Sequence, residues 1–186
     1  MAKAKTSGTV YQLKITLAGI RPPVWRRVQV QDCTLDRLHN IIQVCFGWSD
    51  SHLHAFEIGG EQYGDPEQMQ DLDAAPERKM SLSRIAASGL KKFTYTYDFG
   101  DNWEHVVQIE KTLPPEPGVQ YPRCVTGKRA GPPEDCGGPW GYGDFVDAIT
   151  DPNHPEHEER LEWVGGEFDP EAFDVEEING ELGALG

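Results

Sequence analysis

The chain has 186 residues, 38% hydrophobic and 10% aromatic, enough bulk for one core of ordinary size, and its formal charge is -14. An acidic field of this size repels phosphate backbones and argues against nucleic-acid partners. No apolar run approaches the roughly 18 residues of a membrane span. Residues 1–60 hold seven Lys/Arg against four Asp/Glu, whereas residues 151–186 hold twelve acids against Arg160 alone. The lead MAKAKTSG lacks an apolar signal core, and four cysteines in this length make no disulfide framework, so a cytoplasmic protein is expected.

Residues 1–8 read as a frayed lead, one domain is expected over 9–182, and 183–186 are expected to trail free. Val10–Leu17 alternates Tyr11, Leu13, Ile15 and Leu17 with polar residues and predicts a strand. Pro22-Pro23 ends that ladder, and VWRRVQV (24–30) predicts an antiparallel partner. Arg26 shares a face with Val24, Val28 and Val30, so if buried it needs a carboxylate or carbonyl partner. Thr34 is the expected N-cap of a helix whose apolar positions are Leu35, Leu38, Ile41, Ile42, Cys45 and Phe46, closed by Gly47. His39 falls one residue off this stripe, which predicts a solvated edge. Residues 53–58 read as a strand with His52, His54, Phe56 and Ile58 on one face, followed by a Gly59-Gly60 turn and the return Glu61–Gly64. Residues 65–79 read as a polar surface loop, and Ser81 as the cap of a short helix ended by Gly89.

The strongest local signal is FTYTYDFGDNWEHVVQIEK (93–111). Phe93, Tyr95 and Tyr97 share one strand face; Trp103, His105, Val107 and Ile109 share another. Period-2 alternation on both sides of a Gly/Asp/Asn cluster predicts a hairpin. Residues 113–143 hold seven Pro and seven Gly and read as a long loop, docked by Tyr121, Trp140 and Tyr142. Helices are expected at 144–150 and 155–164, with Asp169-Pro170 as an N-cap/N1 pair and Asp174 with Glu177 as an acidic capping box. The sum is an α+β fold: an antiparallel sheet of five or more strands with hairpins, one main packing helix, and an acidic helical C-terminus.

His52, His54, Asp98, Asp101, His105, Glu134 and Asp135 are types that bind a divalent metal or transfer protons. His-Leu-His places two imidazoles on one strand face, roughly 7 Å apart. If the PPEDCGG loop (132–138) folds over the hairpin tip, these groups converge. The competing reading is that the aspartates of DFGDN stabilise their own turn and the histidines are hydrogen-bonded beside aromatic rings. Cys124 and Cys136 flank Lys128 and Arg129, whose charge favours thiolate, with packing as the alternative. Asp-Phe-Gly at 98–100 has no accompanying kinase motifs.

Four segments carry a family resemblance: IRPPVWRRV (20–28), FGWSDSHLHAF (46–56), YTYDFGDNWEH (95–105) and RCVTGKRAGPPEDCGG (123–138). Over about residues 9–180 the chain resembles the Ri-plasmid ORF-three-like family, some of whose members carry the label TnpR resolvase. The resemblance implies an α+β fold and no defined activity. Family members often have a cysteine just before the Pro-Pro-Glu-Asp segment, where this chain has Gly131, against a shared cysteine-rich metal knot. Resolvase chemistry lacks its parts: Ser7 lies in the lead, Arg21, Arg26 and Arg27 have no assignable nucleophile, and no basic helix-turn-helix is legible.

The expectation is therefore a binding module for a small molecule or a protein, with a pocket between the HLH strand, the hairpin tip and the PPEDCGG loop. His52, His54, Asp98, Trp103, Glu134 and Trp140 would contact the ligand. The alternative is a metal-assisted hydrolase, in which His54, Asp101 and His105 hold a divalent metal or act as acid and base. Its catalytic candidates are Asp101, His105 and Asp135.

Overall fold

The computed structural model describes residues 8–69 and 73–186. Among the described residues eight strands form one sheet: β1 Val10–Leu17, β2 Trp25–Gln31, β3 His54–Ile58, β4 Glu61–Gly64, β5 Ala75–Pro76, β6 Lys92–Tyr97, β7 Trp103–Leu113 and β8 Arg123–Lys128. Their order is β5-β4-β3-β6-β7-β1-β2-β8. All neighbours are antiparallel except β4 and β5. Helices α1 Leu35–Phe46, α2 Leu82–Ala87, α3 Gly138–Thr150, α4 His157–Val164 and α5 Val175–Ala184 complete an α+β fold. Among the described residues no helix is long and apolar enough to cross a membrane.

The alternating residues of β1, β2, β6 and β7 fill the core as their period requires: Leu13, Ile15, Val28, Tyr95, Tyr97, Trp103 and Val107 are fully buried. The stripe of α1 lies in the same core, and Gly47 closes the helix in the left-handed region at φ 74°. Arg26 is buried with the valines of β2. Its guanidinium donates to the carbonyls of Cys45, Trp25 and Lys128 and lies between the rings of Phe46 and Phe173, 5.1 and 5.0 Å away.

Three stretches differ from expectation. His39 is buried rather than solvated, because β3 and β6 place the rings of His54 and Tyr95 opposite it. The run 65–79, of which 70–72 lie outside the described residues, contains β5 and a 3-10 turn, Glu77–Lys79, that buries Glu77. The long loop is shorter than its composition implies. β7 extends to Leu113, β8 pairs along β2, and α3 starts at Gly138, with Gly137 left-handed before it and Pro139 in its first turn. Asp169-Pro170 opens a turn instead of a helix, with Asp169 accepting from the Glu171 amide.

Thr34 occupies the N-cap position of α1 without a side-chain cap hydrogen bond, whereas two other caps do form one. Ser81 accepts from the Arg84 amide, and Asp174 accepts from the amides of Glu176 and Glu177. α5 runs to Ala184, and Arg37 donates to the carbonyls of Leu185 and Gly186. Apart from Gly8, the expected frayed lead lies outside the described residues. At Gly131 a Cβ would lie 2.0 Å from the Phe46 carbonyl oxygen, so no side chain fits there on this backbone.

Candidate functional site

The hairpin β6–β7 pairs Tyr97 with Trp103 and leaves Asp98 to Asn102 as its tip. Asp98 and Asn102 both have φ near +57°, a conformation that Asp and Asn tolerate better than most residues. Asp98 Oδ1 accepts from the amides of Gly100 and Asp101, at 2.9 and 3.3 Å, so one oxygen stabilises the turn. The Asp98 amide donates to Leu53 O at 2.8 Å and ties the tip to the HLH segment. The other oxygen, Oδ2, lies 3.6 Å from His52 Nε2.

The PPEDCGG loop folds over this tip. Trp48 Nε1 donates to Pro132 O, and Glu134 accepts from the Tyr97 hydroxyl and from Ser49 Oγ. Asp101 Oδ2 accepts from the Gly137 amide at 3.1 Å, seating the start of α3 on the hairpin. Asp135, held at φ 60°, reaches back so that its Oδ1 is 2.8 Å from His52 Nε2. His52, Asp98 and Asp135 each offer one ligand atom within 4.8 Å of the others. His52 Nε2 is buried, yet it makes no aligned hydrogen bond to either carboxylate. Proximity without alignment leaves that nitrogen free to act as a donor to a cation.

The other proposed ligands separate. His54, on β3, places Nε2 2.8 Å from Glu77 Oε2 and stacks on His39. His105 is wholly inside, edge-on to Phe46 and Trp48, with its Nδ1–H donating to Trp103 O at 2.9 Å. Burial pushes its pKa down to about 3, so it is a neutral core residue. Asp101 is committed to α3. His54, Asp101 and His105 therefore do not form one ligand set, and Asp135 lies beside His52 rather than beside any of them.

Neither tryptophan walls a pocket here. Trp103 is 1% exposed and packs against Trp48 and Tyr142, while Trp140 stands 90% exposed on α3. Two clefts of about 720 and 530 Å³ lie elsewhere. The first separates the β1–β2 connection from α3; the second lies between the end of α1, residues 130–133 and α5. Cys124 and Cys136 are buried free thiols whose pKa values rise to about 11 and 12, because desolvation outweighs the nearby Arg26 and Arg160.

Three residues beside the site carried no role in the sequence reading. His39 and Asp50 join His54 in a second cluster within the same 4.8 Å limit, and Glu77 backs it. Asp50 had a usable signal, two residues before His52 in Ser-Asp-Ser-His-Leu-His. Glu77 had none, as one acid in a polar run.

An eight-stranded, mostly antiparallel sheet whose hairpin tip is roofed by an acidic loop, with His52 between the two, defines the class of α+β protein. The chain belongs to the plasmid pRiA4b ORF-3-like family, whose model matches residues 9–177. It is 40% identical over 174 residues to y4hQ of Sinorhizobium fredii, an uncharacterised protein, covering 92% of this chain and 89% of that one. The crystal structure of MM3350 from Methanosarcina mazei Go1, a protein of unknown function, matches with a TM-score of 0.83 and 42% identity. That match spans 92% of this chain and 98% of MM3350.

Proposed function

We propose that the protein is a cytoplasmic ligand-binding module that holds a divalent cation on His52, Asp98 and Asp135 and takes a small molecule through it. The observation that carries this reading is the buried His52 Nε2, flanked by two carboxylate oxygens and aligned with neither. One imidazole nitrogen and two carboxylates suit Mn²⁺, Fe²⁺ or Zn²⁺, and the two negative charges balance the ion. Three protein donors leave coordination positions for oxygen atoms of the ligand. Asp135 is largely exposed, so the ligand has a route in. Hydrolysis would add the need for a base, and neither His54 nor His105 faces this site. The four free cysteines support a reducing compartment.

Titration of chelator-treated protein with Mn²⁺, followed by calorimetry, tests this. The wild type should bind, and His52→Ala, which removes one of three donors, or Asp135→Asn, which removes one of the two balancing charges, should weaken binding at least about tenfold. Unchanged Mn²⁺ affinity in His52→Ala would overturn the assignment.

A further inference from the structure

A second cluster shares no residue with the tip. His39 on α1 and His54 at the start of β3 stack with ring centroids 3.5 Å apart and planes 7° from parallel. Both are about 5% exposed. Asp50 completes the group, with one ligand atom from each of the three within 4.8 Å of the others.

The hydrogen bonds around the rings are uneven. His54 Nε2 is 2.8 Å from Glu77 Oε2, and a carboxylate only accepts, so this nitrogen carries the proton. Its Nδ1 is then a bare lone pair, buried and without a partner. His39 Nδ1 is 2.7 Å from the Tyr95 hydroxyl, which Gln43 holds by donating to it at 3.0 Å. His39 Nε2 is 2.9 Å from Asp50 Oδ1. Asp50 is held at the edge of the His39 ring by its own amide, which donates to Gln43 Oε1, and its half-exposed side chain opens the cluster to solvent.

As a plain hydrogen-bond network, the chain Asp50–His39–Tyr95–Gln43 closes. It leaves His54 Nδ1 unsatisfied, which costs roughly 1–3 kcal/mol for a buried polar atom. A histidine whose outer nitrogen is fixed by a carboxylate, and whose inner nitrogen is free, is in the arrangement metal-ligating histidines adopt. We infer that His39, Asp50 and His54 form a second metal site, buried and nitrogen-rich, with Glu77 as the group that orients His54. Two imidazoles and one carboxylate select Zn²⁺ and its first-row neighbours over Mg²⁺ and Ca²⁺, which prefer oxygen. His39 would ligate through Nε2 in its other neutral tautomer, donating Nδ1–H to the Tyr95 oxygen. With planes 7° from parallel, the rings would have to tilt out of their stack for both lone pairs to converge on one ion.

Co²⁺ is the probe, because its visible ligand-field bands report nitrogen-rich coordination. The site at the tip is first removed with His52→Ala, so that the two assignments are tested separately. In that background one equivalent of Co²⁺ should bind with ligand-field bands and be displaced by Zn²⁺ but not by Mg²⁺. Adding Asp50→Asn, at a half-exposed position that leaves the core intact, should weaken Co²⁺ at least tenfold. Glu77→Gln should weaken it roughly 10- to 100-fold, as the loss of an orienting carboxylate does. No Co²⁺ uptake by His52→Ala protein overturns the inference, as does uptake indifferent to Asp50→Asn. If His52→Ala leaves the wild-type stoichiometry unchanged while Asp50→Asn abolishes it, this site stands and the tip site falls.

Discussion

His105 is fixed as a neutral base by its surroundings, and that has a consequence for stability in acid. Its folded pKa is about 3, against an ordinary value of 6.5, because burial penalises the imidazolium. The unfolded chain therefore binds a proton that the folded chain refuses, and stability falls as pH drops below 6.5. Between pH 7 and pH 5 this residue alone removes about 2 kcal/mol. His39 acts in the same direction, held below its ordinary value by burial and by His54. Urea unfolding of His105→Phe at both pH values should show a loss smaller than wild type by about that amount, and an equal loss in both proteins would contradict it. The sequence placed His105 on the right strand face, since period-2 alternation decides which residues point inward. It did not show His39 inside. A residue beside an apolar stripe is buried or exposed according to what packs opposite, and that is settled by the pairing of distant strands.

Elements were legible where a period ran uninterrupted. β1, β2, β6, β7 and α1 each carry at least three inward residues at the period of their geometry. β8 has the sequence RCVTGK, with Gly127 where a side chain would meet Phe173 and the Trp25 carbonyl, so its strand character comes from the free edge of β2. The second half of α3 was legible as a helix at 144–150, but its first half was hidden by Gly138, Gly141 and Gly143 and by Pro139, residues that usually mark loops. Two of these glycines make opposite predictions. A Cβ on Gly138 would sit 2.3 Å from the Asp101 carbonyl oxygen, at φ 70°, so Gly138→Ala should cost at least about 2 kcal/mol and loosen α3 from the hairpin. Gly143 faces open space in the helix, so Gly143→Ala should be neutral or stabilise by up to about 1 kcal/mol. Denaturant midpoints of the two variants check this; similar effects would mean that the contact with Asp101 is not what holds α3.

At the scale of the molecule, a sheet of eight strands has two edges to protect. One is β5, only two residues long. The other is β8, and α5 covers it. Asn179 on α5 accepts from the Cys124 amide at 2.7 Å and donates to the Cys124 carbonyl at 3.0 Å, so its side-chain amide stands in for a residue of a further strand. Leu182, fully buried, anchors the same helix, and Arg37 fixes its end. The C-terminus reads as an acidic helical stretch by composition and capping signals, yet Asn179 in Glu-Ile-Asn-Gly serves the sheet. That role was invisible in the sequence, because it depends on which strand ends at the edge. Asn179→Ala strands one amide and one carbonyl at the β8 edge, a cost of roughly 1–3 kcal/mol where such groups are desolvated. The same variant presents open ladder positions to a second copy, against which the charge of -14 gives only long-range repulsion that salt screens. Sedimentation velocity should therefore show self-association of Asn179→Ala that grows with salt. A variant that stays monomeric at high salt with unchanged denaturant stability would show that α5 protects the edge by bulk alone.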